Sequence, residues 1–116
     1  MTIQRVVPDV GTDDLEASRT FYTSVLGFVA VMDLGWIVTL ASPDVPMAQL
    51  SLLTGDATAA ATPGVSIEVA DVDAVHDRAQ AVGAEIVHPL TDEPWGVRRF
   101  FVRDPSGVVV NVMQHR

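Results

Sequence analysis

In the first half of the chain, apolar residues recur with two different spacings, one typical of a strand and one typical of a helix. Residues 3–10 have the pattern of a strand, and the segment after them, GTDDLEASRTFYTSVLG, has apolar residues every three to four positions, as in an amphipathic helix. Asp13, followed by Glu16 three positions later, predicts the helix start, and Gly27 predicts its end. Further strands are predicted over 28–33, 36–41 and 47–53, the first two as a hairpin around Leu34-Gly35.

The same order of elements returns in the second half. A strand is predicted over 64–70, then a helix capped by Asp71 and ended by Gly83, and then strands over 84–88, 97–103 and 108–114. Asp104-Pro105-Ser106-Gly107 favours a type I turn, so the last two strands form a hairpin. We therefore predict one α+β domain over 1–116, made of two βαβββ modules at about 1–54 and 64–116, with a linker at about 55–63.

Composition narrows the classes of function. The chain has 116 residues, of which 48% are hydrophobic, enough for one packed core. Fifteen acidic residues against seven basic ones argue against nucleic acid as a partner. All seven bases are arginine and there is no cysteine, which excludes a lysine Schiff base and thiol chemistry. With no long apolar segment and no signal-peptide pattern, we expect a cytoplasmic protein without membrane contact.

Two segments carry a resemblance to a known family. DDLEASRTFYTSVLGF (13–28) and PWGVRRFFVRDPSGVVVNV (94–112), linked through AVGAEIVHP (81–89), resemble the vicinal oxygen chelate superfamily, which includes glyoxalase I, extradiol dioxygenases and bleomycin-resistance proteins. The resemblance covers essentially the whole chain. It implies that the modules form a curled mixed sheet around a cleft, usually completed across a homodimer.

The resemblance also implies where a metal would be bound. Metal-dependent members typically use two histidines and two glutamates, and the corresponding positions here are Val7, Gln49, Gly64 or Val65, and Asn111. Valine has no donor atom, and an amide is a weaker ligand than a carboxylate. We therefore expect no metal site and no cofactor, while a non-standard divalent site built from Glu68, His88 and Gln49 is left open.

Strand alternation and the resemblance together predict a ligand-binding cleft. Its expected floor consists of Val7, Gln49, Ser51, Ser66, Glu68, Val109, Asn111 and Met113, with Trp36 and Trp95 as walls. Such a surface suits a flat, moderately polar organic molecule, and the net charge of −8 favours a cationic one by long-range attraction. The pattern leaves open whether Phe100 or Phe101 faces the cleft. It favours a solvated face for Arg98, Arg99 and Arg103 over an anion contact.

Three functions follow from this cleft. The expected one is a metal-independent small-molecule-binding protein of glyoxalase/bleomycin-resistance type, which sequesters an aromatic or antibiotic-like ligand as a homodimer. The alternative is a lyase, isomerase or dioxygenase-like enzyme with a non-standard metal site or with Glu68 as general base. The third is a structural or regulatory module whose own side chains fill the cleft. The missing metal ligands favour the first, so we expect binding without catalysis.

Overall fold

The computed structural model describes residues 2–59 and 61–116, which form one eight-stranded sheet and two helices. In chain order the elements are β1 (Ile3–Gly11), α1 (Leu15–Leu26), β2 (Val29–Asp33), β3 (Ile37–Ala41), β4 (Gln49–Leu53), β5 (Val65–Val69), α2 (Val72–Ala81), β6 (Glu85–Glu93), β7 (Val97–Arg103) and β8 (Val109–His115). The order strand, helix, three strands occurs twice. This confirms the predicted α+β class and the repeated arrangement of elements.

The helix ends follow from local hydrogen bonding. The prediction that Asp13 caps α1 was wrong by one residue, because the Asp14 side chain accepts the hydrogen bond from the Ala17 N–H at 3.0 Å. Gly27 ends α1 at φ 79°, a left-handed conformation that glycine adopts without strain. Asp71 caps α2, as predicted, by accepting from the Ala74 N–H at 3.1 Å. Among the described residues no helix is long and apolar enough to cross a membrane.

Strand β6 is longer than the predicted segment 84–88. It continues through Pro89 to Glu93 and pairs with β7 as the last strand at one edge of the sheet. Proline has no backbone N–H to donate, so an edge strand can accommodate it where a central strand could not. The pairing shifts register on both sides of His88, which bends this edge.

The two modules join edge to edge at the middle of the sheet. The strand order is β2-β3-β4-β1-β5-β8-β7-β6, with β1 antiparallel to β5. Within each module the first strand runs parallel to the last, with Asp9 opposite Ser51 in the first module and Ser66 opposite Asn111 in the second. Across the junction, Val7 lies opposite Ser66. The cleft floor is therefore built by both modules.

Both helices pack on the same side of the curled sheet. Under α1 lie Val38, Leu40 and Leu52, and under α2 lie Val69, Phe100 and Val112, all buried together with Val72 of α2 itself. Phe100 thus belongs to the helix side, where its ring meets His76 at 4.9 Å. Phe101 points the other way, on the same face as Arg99. This settles which phenylalanine is directed toward the cleft, whose concave face is left uncovered by the helices.

Candidate functional site

A cavity of about 370 Å³ lies against the concave face of the sheet. Seven of the ten predicted ligand-binding residues line it: Val7, Trp36, Ser51, Ser66, Trp95, Asn111 and Met113. The other three, Gln49, Glu68 and Val109, lie on the same face of the sheet but outside the cavity wall. The structure therefore brings most of the predicted set together in one place.

Two tryptophans close one side of the cavity. Trp36 precedes β3 in the first module, and Trp95 precedes β7 in the second. Their ring centroids are 5.8 Å apart, in an edge-to-face arrangement. The sheet thus curls until the two modules touch, and the pair forms an aromatic wall against which a flat ligand can pack.

The cavity contains a carboxylate that the sequence analysis missed. Asp9 lies two residues after Val7 on β1, so it is on the same face and lines the cavity. Ser66 Oγ donates to Asp9 Oδ2 at 2.7 Å, and Asn111 Nδ2 donates to Ser66 Oγ at 3.0 Å. These three side chains form a hydrogen-bonded chain across β1, β5 and β8. The alternation that placed Val7 on the floor was the signal that could have identified Asp9.

Burial changes the proton affinity of Asp9. It raises the pKa of this carboxyl from 3.8 to about 6, against the hydrogen bond from Ser66 and the positive charge of Arg5, which both lower the pKa. Asp9 therefore gains and loses its proton closer to neutral pH than an ordinary aspartate. A carboxyl group with this property can act as an ion-pairing group or as an acid–base group.

Asn111 presents an unsatisfied oxygen. The residue is 7% exposed, and its Oδ1 atom has no hydrogen-bond partner among the described residues. A buried carbonyl oxygen without a donor is unfavourable, so this atom retains an unused capacity to accept a hydrogen bond. The amide at the centre of the last strand thus belongs to the cavity floor.

The expectation that the arginines of β7 are solvated was wrong for Arg99. This residue is 4% exposed, and its Nη2 atom lies 2.8 Å from Asp56 Oδ2 and 2.6 Å from Glu93 Oε2. Its guanidinium carbon is 5.0 Å from the ring centroid of Trp95 and 4.8 Å from that of Phe101. The segment after β4 folds back to supply Asp56, so this segment does more than connect two modules.

The Asp56 carboxylate is stabilised in its ionised form. Burial alone would raise its pKa, but hydrogen bonds from Thr58 and Arg99 together outweigh that effect and hold the pKa below its ordinary value. Thr58 also accepts a hydrogen bond of 2.9 Å from Arg99. Two carboxylates and one hydroxyl therefore surround one guanidinium at the cavity side.

A second ionic group occupies the cavity edge. Arg5 lines the cavity, donates to Gln49 Oε1 at 2.7 Å and has its Nε atom 3.0 Å from Glu68 Oε1. The other Glu68 oxygen lies 2.7 Å from His115 Nδ1. Glu68, the candidate for a general base, is thus engaged by two basic side chains, whereas among the described residues the Asp9 carboxylate has a hydroxyl partner, Ser66, and no ion pair.

The residues at the expected metal positions do not fit a divalent ion. Val7 offers no donor, Gln49 Oε1 is occupied by the Arg5 guanidinium, and a cation beside the site would repel a metal. The non-standard metal site considered from Glu68, His88 and Gln49 is not formed either. His88 is buried against the Phe101 ring, 5.0 Å between centroids, with its pKa lowered by burial and by Arg99. No group of three His, Cys, Asp or Glu side chains within 2–59 and 61–116 is arranged to hold a metal.

Comparison with known proteins agrees with this architecture. A Mycobacterium tuberculosis protein named "Putative glyoxylase CFP32" is 29% identical over 119 residues, which cover 91% of this chain and 43% of that protein. The chain thus spans less than half the length of the curated relatives that it matches.

Solved structures share the fold over nearly their whole length. A glyoxalase/bleomycin resistance protein/dioxygenase superfamily member from Vibrio splendidus has 23% identity and a TM-score of 0.75, covering 97% of this chain and 99% of that one. Methylmalonyl-CoA epimerase of Streptomyces coelicolor, as a variant bound to 2-nitronate-propionyl-CoA, has 20% identity and a TM-score of 0.72, covering 98% and 99%. The sequence pattern of the Glyoxalase/Bleomycin resistance protein/Dioxygenase superfamily matches residues 2–112, and the chain belongs to that superfamily.

Proposed function

We propose that this protein binds a small, flat organic molecule in its cleft without a metal ion. The observation that carries the proposal is the cavity floor, where Val7, Ser66 and Asn111 form a row of one apolar and two uncharged polar side chains. Val7 and Asn111 stand at two of the positions where the resemblance implies a metal ligand, and together with Ser66 they offer packing and hydrogen bonds instead. Sequestration of an aromatic or antibiotic-like compound fits such a surface.

The size and lining of the cavity support this function. Its volume of about 370 Å³ is within the range of small-molecule sites, roughly 300–1,000 Å³. Trp36 and Trp95 provide an aromatic wall, and the partly exposed Met32 and Leu34 provide an apolar rim. A flat ring would be held by packing on these side chains and oriented by the amide of Asn111.

A second copy of the chain is the partner that we propose. Strand β2 lies at one edge of the sheet, all five of its residues are exposed, and Val31 is 56% exposed. An apolar edge strand with unpaired backbone groups is usually covered by another chain or segment. Light scattering after size exclusion would test this: a mass of two chains supports a homodimer, and a mass of one chain refutes it.

An enzymatic function is the second candidate, and Asp9 is the observation that favours it. A half-buried carboxyl whose pKa burial raises to about 6 can remove a proton from carbon or return one, as a metal-free isomerase would require. Deuterium incorporation into a panel of carbonyl compounds in heavy water would test it. Incorporation by the native protein but not by Asp9→Asn would establish catalysis, and none by either would exclude it for that panel.

The binding proposal can be tested by filling the cavity. Met113→Trp adds a bulky ring at the floor, and isothermal titration calorimetry with 2-naphthamide, a flat neutral amide, measures the effect. Val82→Trp is the matched control, because Val82 is 80% exposed and lies outside the cavity. We expect binding by the native protein and the control, and none by Met113→Trp. Equal binding by all three would contradict the proposal.

A further inference from the structure

We propose that Asp9 and Asn111 form a subsite for a cationic nitrogen group of the ligand, a planar N–H donor such as an amidinium. This inference rests on the proposed function, since it specifies which ligands the same cleft selects. It depends on three features of the site: its distribution of charge, the direction of its hydrogen bonds and the unpaired oxygen of Asn111.

The charges around the cavity leave Asp9 without a cation in direct contact among the described residues. Arg5 is paired with Glu68, and Arg99 is paired with both Asp56 and Glu93. Within the described part of the chain, no arginine or histidine nitrogen lies within 4.0 Å of an Asp9 oxygen. The two guanidinium groups of Arg5 and Arg99 are thus matched by three carboxylates already, and Asp9 at the floor adds a fourth negative charge. A ligand cation would complete the balance.

The hydrogen-bonded chain has one direction when Asp9 is ionised. The carboxylate can only accept, so Ser66 uses its single proton to donate to Asp9 Oδ2. Ser66 Oγ must then accept from the Asn111 amide nitrogen, as observed. This fixes the amide orientation and leaves Asn111 Oδ1 as the unpaired atom. The ionised site therefore combines a carboxylate with a free carbonyl oxygen, and both are hydrogen-bond acceptors.

Two acceptors with a negative charge define the chemistry of the ligand. An amidinium carries a positive charge and several N–H groups in one plane, so it can pair with Asp9 while donating to Asn111 Oδ1. A neutral amide supplies N–H groups without the charge, and a carboxylate would be repelled. The aromatic wall of Trp36 and Trp95 suits a ring attached to the cation. We therefore expect selectivity in the order amidinium, amide, carboxylate.

Protonation of Asp9 should weaken the selectivity for a cation. Once Asp9 carries a proton it can donate to Ser66, which frees the serine proton for the Asn111 oxygen after the amide turns over. The site then loses its charge and its free acceptor. The charged groups around the Asp9 side of the cavity come from three places: Arg5 on the same strand, Glu68 and His115 on β5 and β8, and Arg99 with its two carboxylates. The neighbouring cavity side chains on β3 and β4, Thr39 and Ser51, are uncharged. Because the pKa of Asp9 is raised to about 6, cation affinity is expected above that pH and falls below it.

The test uses three naphthalenes that differ only in one group: 2-naphthamidine, 2-naphthamide and 2-naphthoate. Calorimetric titration at about pH 7.5 should show the amidinium binding at least about tenfold more tightly than the amide, since charge-assisted hydrogen bonds are the stronger ones. Asp9→Asn should abolish this preference. Glu85→Gln is the matched control: it makes the same change in net charge, but Glu85 is an exposed residue paired with Arg103, outside the cavity, so the preference should remain.

Two further measurements keep the test decisive. The preference should shrink at about pH 5 in the native protein and equally in His115→Gln, which removes the histidine that lines the cavity. If Asp9→Asn does not fold, Asn111→Leu still tests the subsite, because it removes the free oxygen and should weaken the amidinium severalfold. A preference that survives in Asp9→Asn overturns the proposal, as does an amidinium affinity that is unchanged in Asn111→Leu, or a preference that is lost equally in Glu85→Gln.

The outcomes separate this inference from the proposed function. If the amide and the amidinium bind equally well, the cleft binds organic molecules but the cationic subsite is refuted. If none of the three compounds binds, both proposals fail together. If the naphthoate binds best, the arginines dominate the site and the assignment of Asp9 is wrong.

Discussion

Asp56 and Arg99 form a buried ion pair across the cavity side, with 2.8 Å between Oδ2 and Nη2 and side-chain exposures of 2% and 5%. One partner comes from the segment between the modules and the other from β7 of the second module. Because Glu93 contacts the same nitrogen, the guanidinium remains paired even when one carboxylate is lost. The pair therefore fixes the connecting segment against the cavity rather than carrying the only counter-charge of Arg99.

Removing Asp56 should destabilise the protein moderately. We expect Asp56→Ala to lower the free energy of unfolding by about 1–3 kcal/mol, less than the roughly 3–5 kcal/mol typical of a fully broken buried pair, since Glu93 still neutralises Arg99. Urea unfolding at neutral pH measures the difference. Asp44→Ala, an exposed carboxylate in a loop of the first module, is the control and should change little. An Asp56→Ala protein as stable as that control would show that the pair contributes nothing.

The raised pKa of Asp9 predicts an unusual dependence of stability on pH. The folded protein holds this proton up to about pH 6, whereas the unfolded chain releases it near the ordinary value of 3.8. Folding is therefore favoured by the Asp9 proton at low pH, and that contribution is lost as the pH rises between the two values. Asp9→Asn should be more stable than the native protein by about 1–2 kcal/mol at neutral pH, and the gap should narrow toward pH 4.

Urea unfolding of both proteins at several pH values measures this gap, and comparing them cancels the titration of all other groups. A gap that does not change with pH, or an Asp9→Asn protein that is less stable at neutral pH, would refute the assigned pKa. A stabilising substitution at the cavity floor would mean that the native aspartate is retained at a cost to stability, as residues at functional sites often are.

Aromatic packing should account for part of the affinity. Trp36→Leu keeps an apolar side chain at the wall but removes the ring that meets Trp95. We expect 2-naphthamide to bind about 0.5–1.5 kcal/mol more weakly, the usual contribution of an aromatic pair. A saturated bicyclic amide of the same size is the control, and its calorimetric affinity should change less. An equal loss for both ligands would mean that Trp36 acts by shape alone.

The regular elements and much of the cavity floor were predictable because strand alternation is a local property. Ser66 and Asn111 were assigned to the same face from periodicity, and the structure places them side by side on neighbouring strands. The same rule applied to Val7 would have added Asp9, whose charge in an apolar strand was as informative as the amide of Asn111. The sequence therefore contains the signal that places Asp9 on the cleft floor.

Other features could not be obtained from local patterns. The burial of Arg99 depends on Asp56, 43 positions earlier in a segment without regular structure, and on Glu93 in the extended part of β6. Alternation alone puts an arginine on a face but does not say what covers it. In the same way, the contact between Trp36 and Trp95 depends on how far the sheet curls, which is set by the packing of both modules together.

The binding of an organic ligand by metal-free protein tests the proposed function most directly. The dissociation constant of 2-naphthamide should be measured by calorimetry on chelator-treated protein, and again after incubation with zinc, nickel, manganese or iron(II). We expect binding without metal, unchanged within about twofold by any ion, and less than about a tenth of an equivalent of metal retained after desalting. Binding that appears only with one of these ions, retained at nearly one equivalent, would contradict a metal-independent cleft.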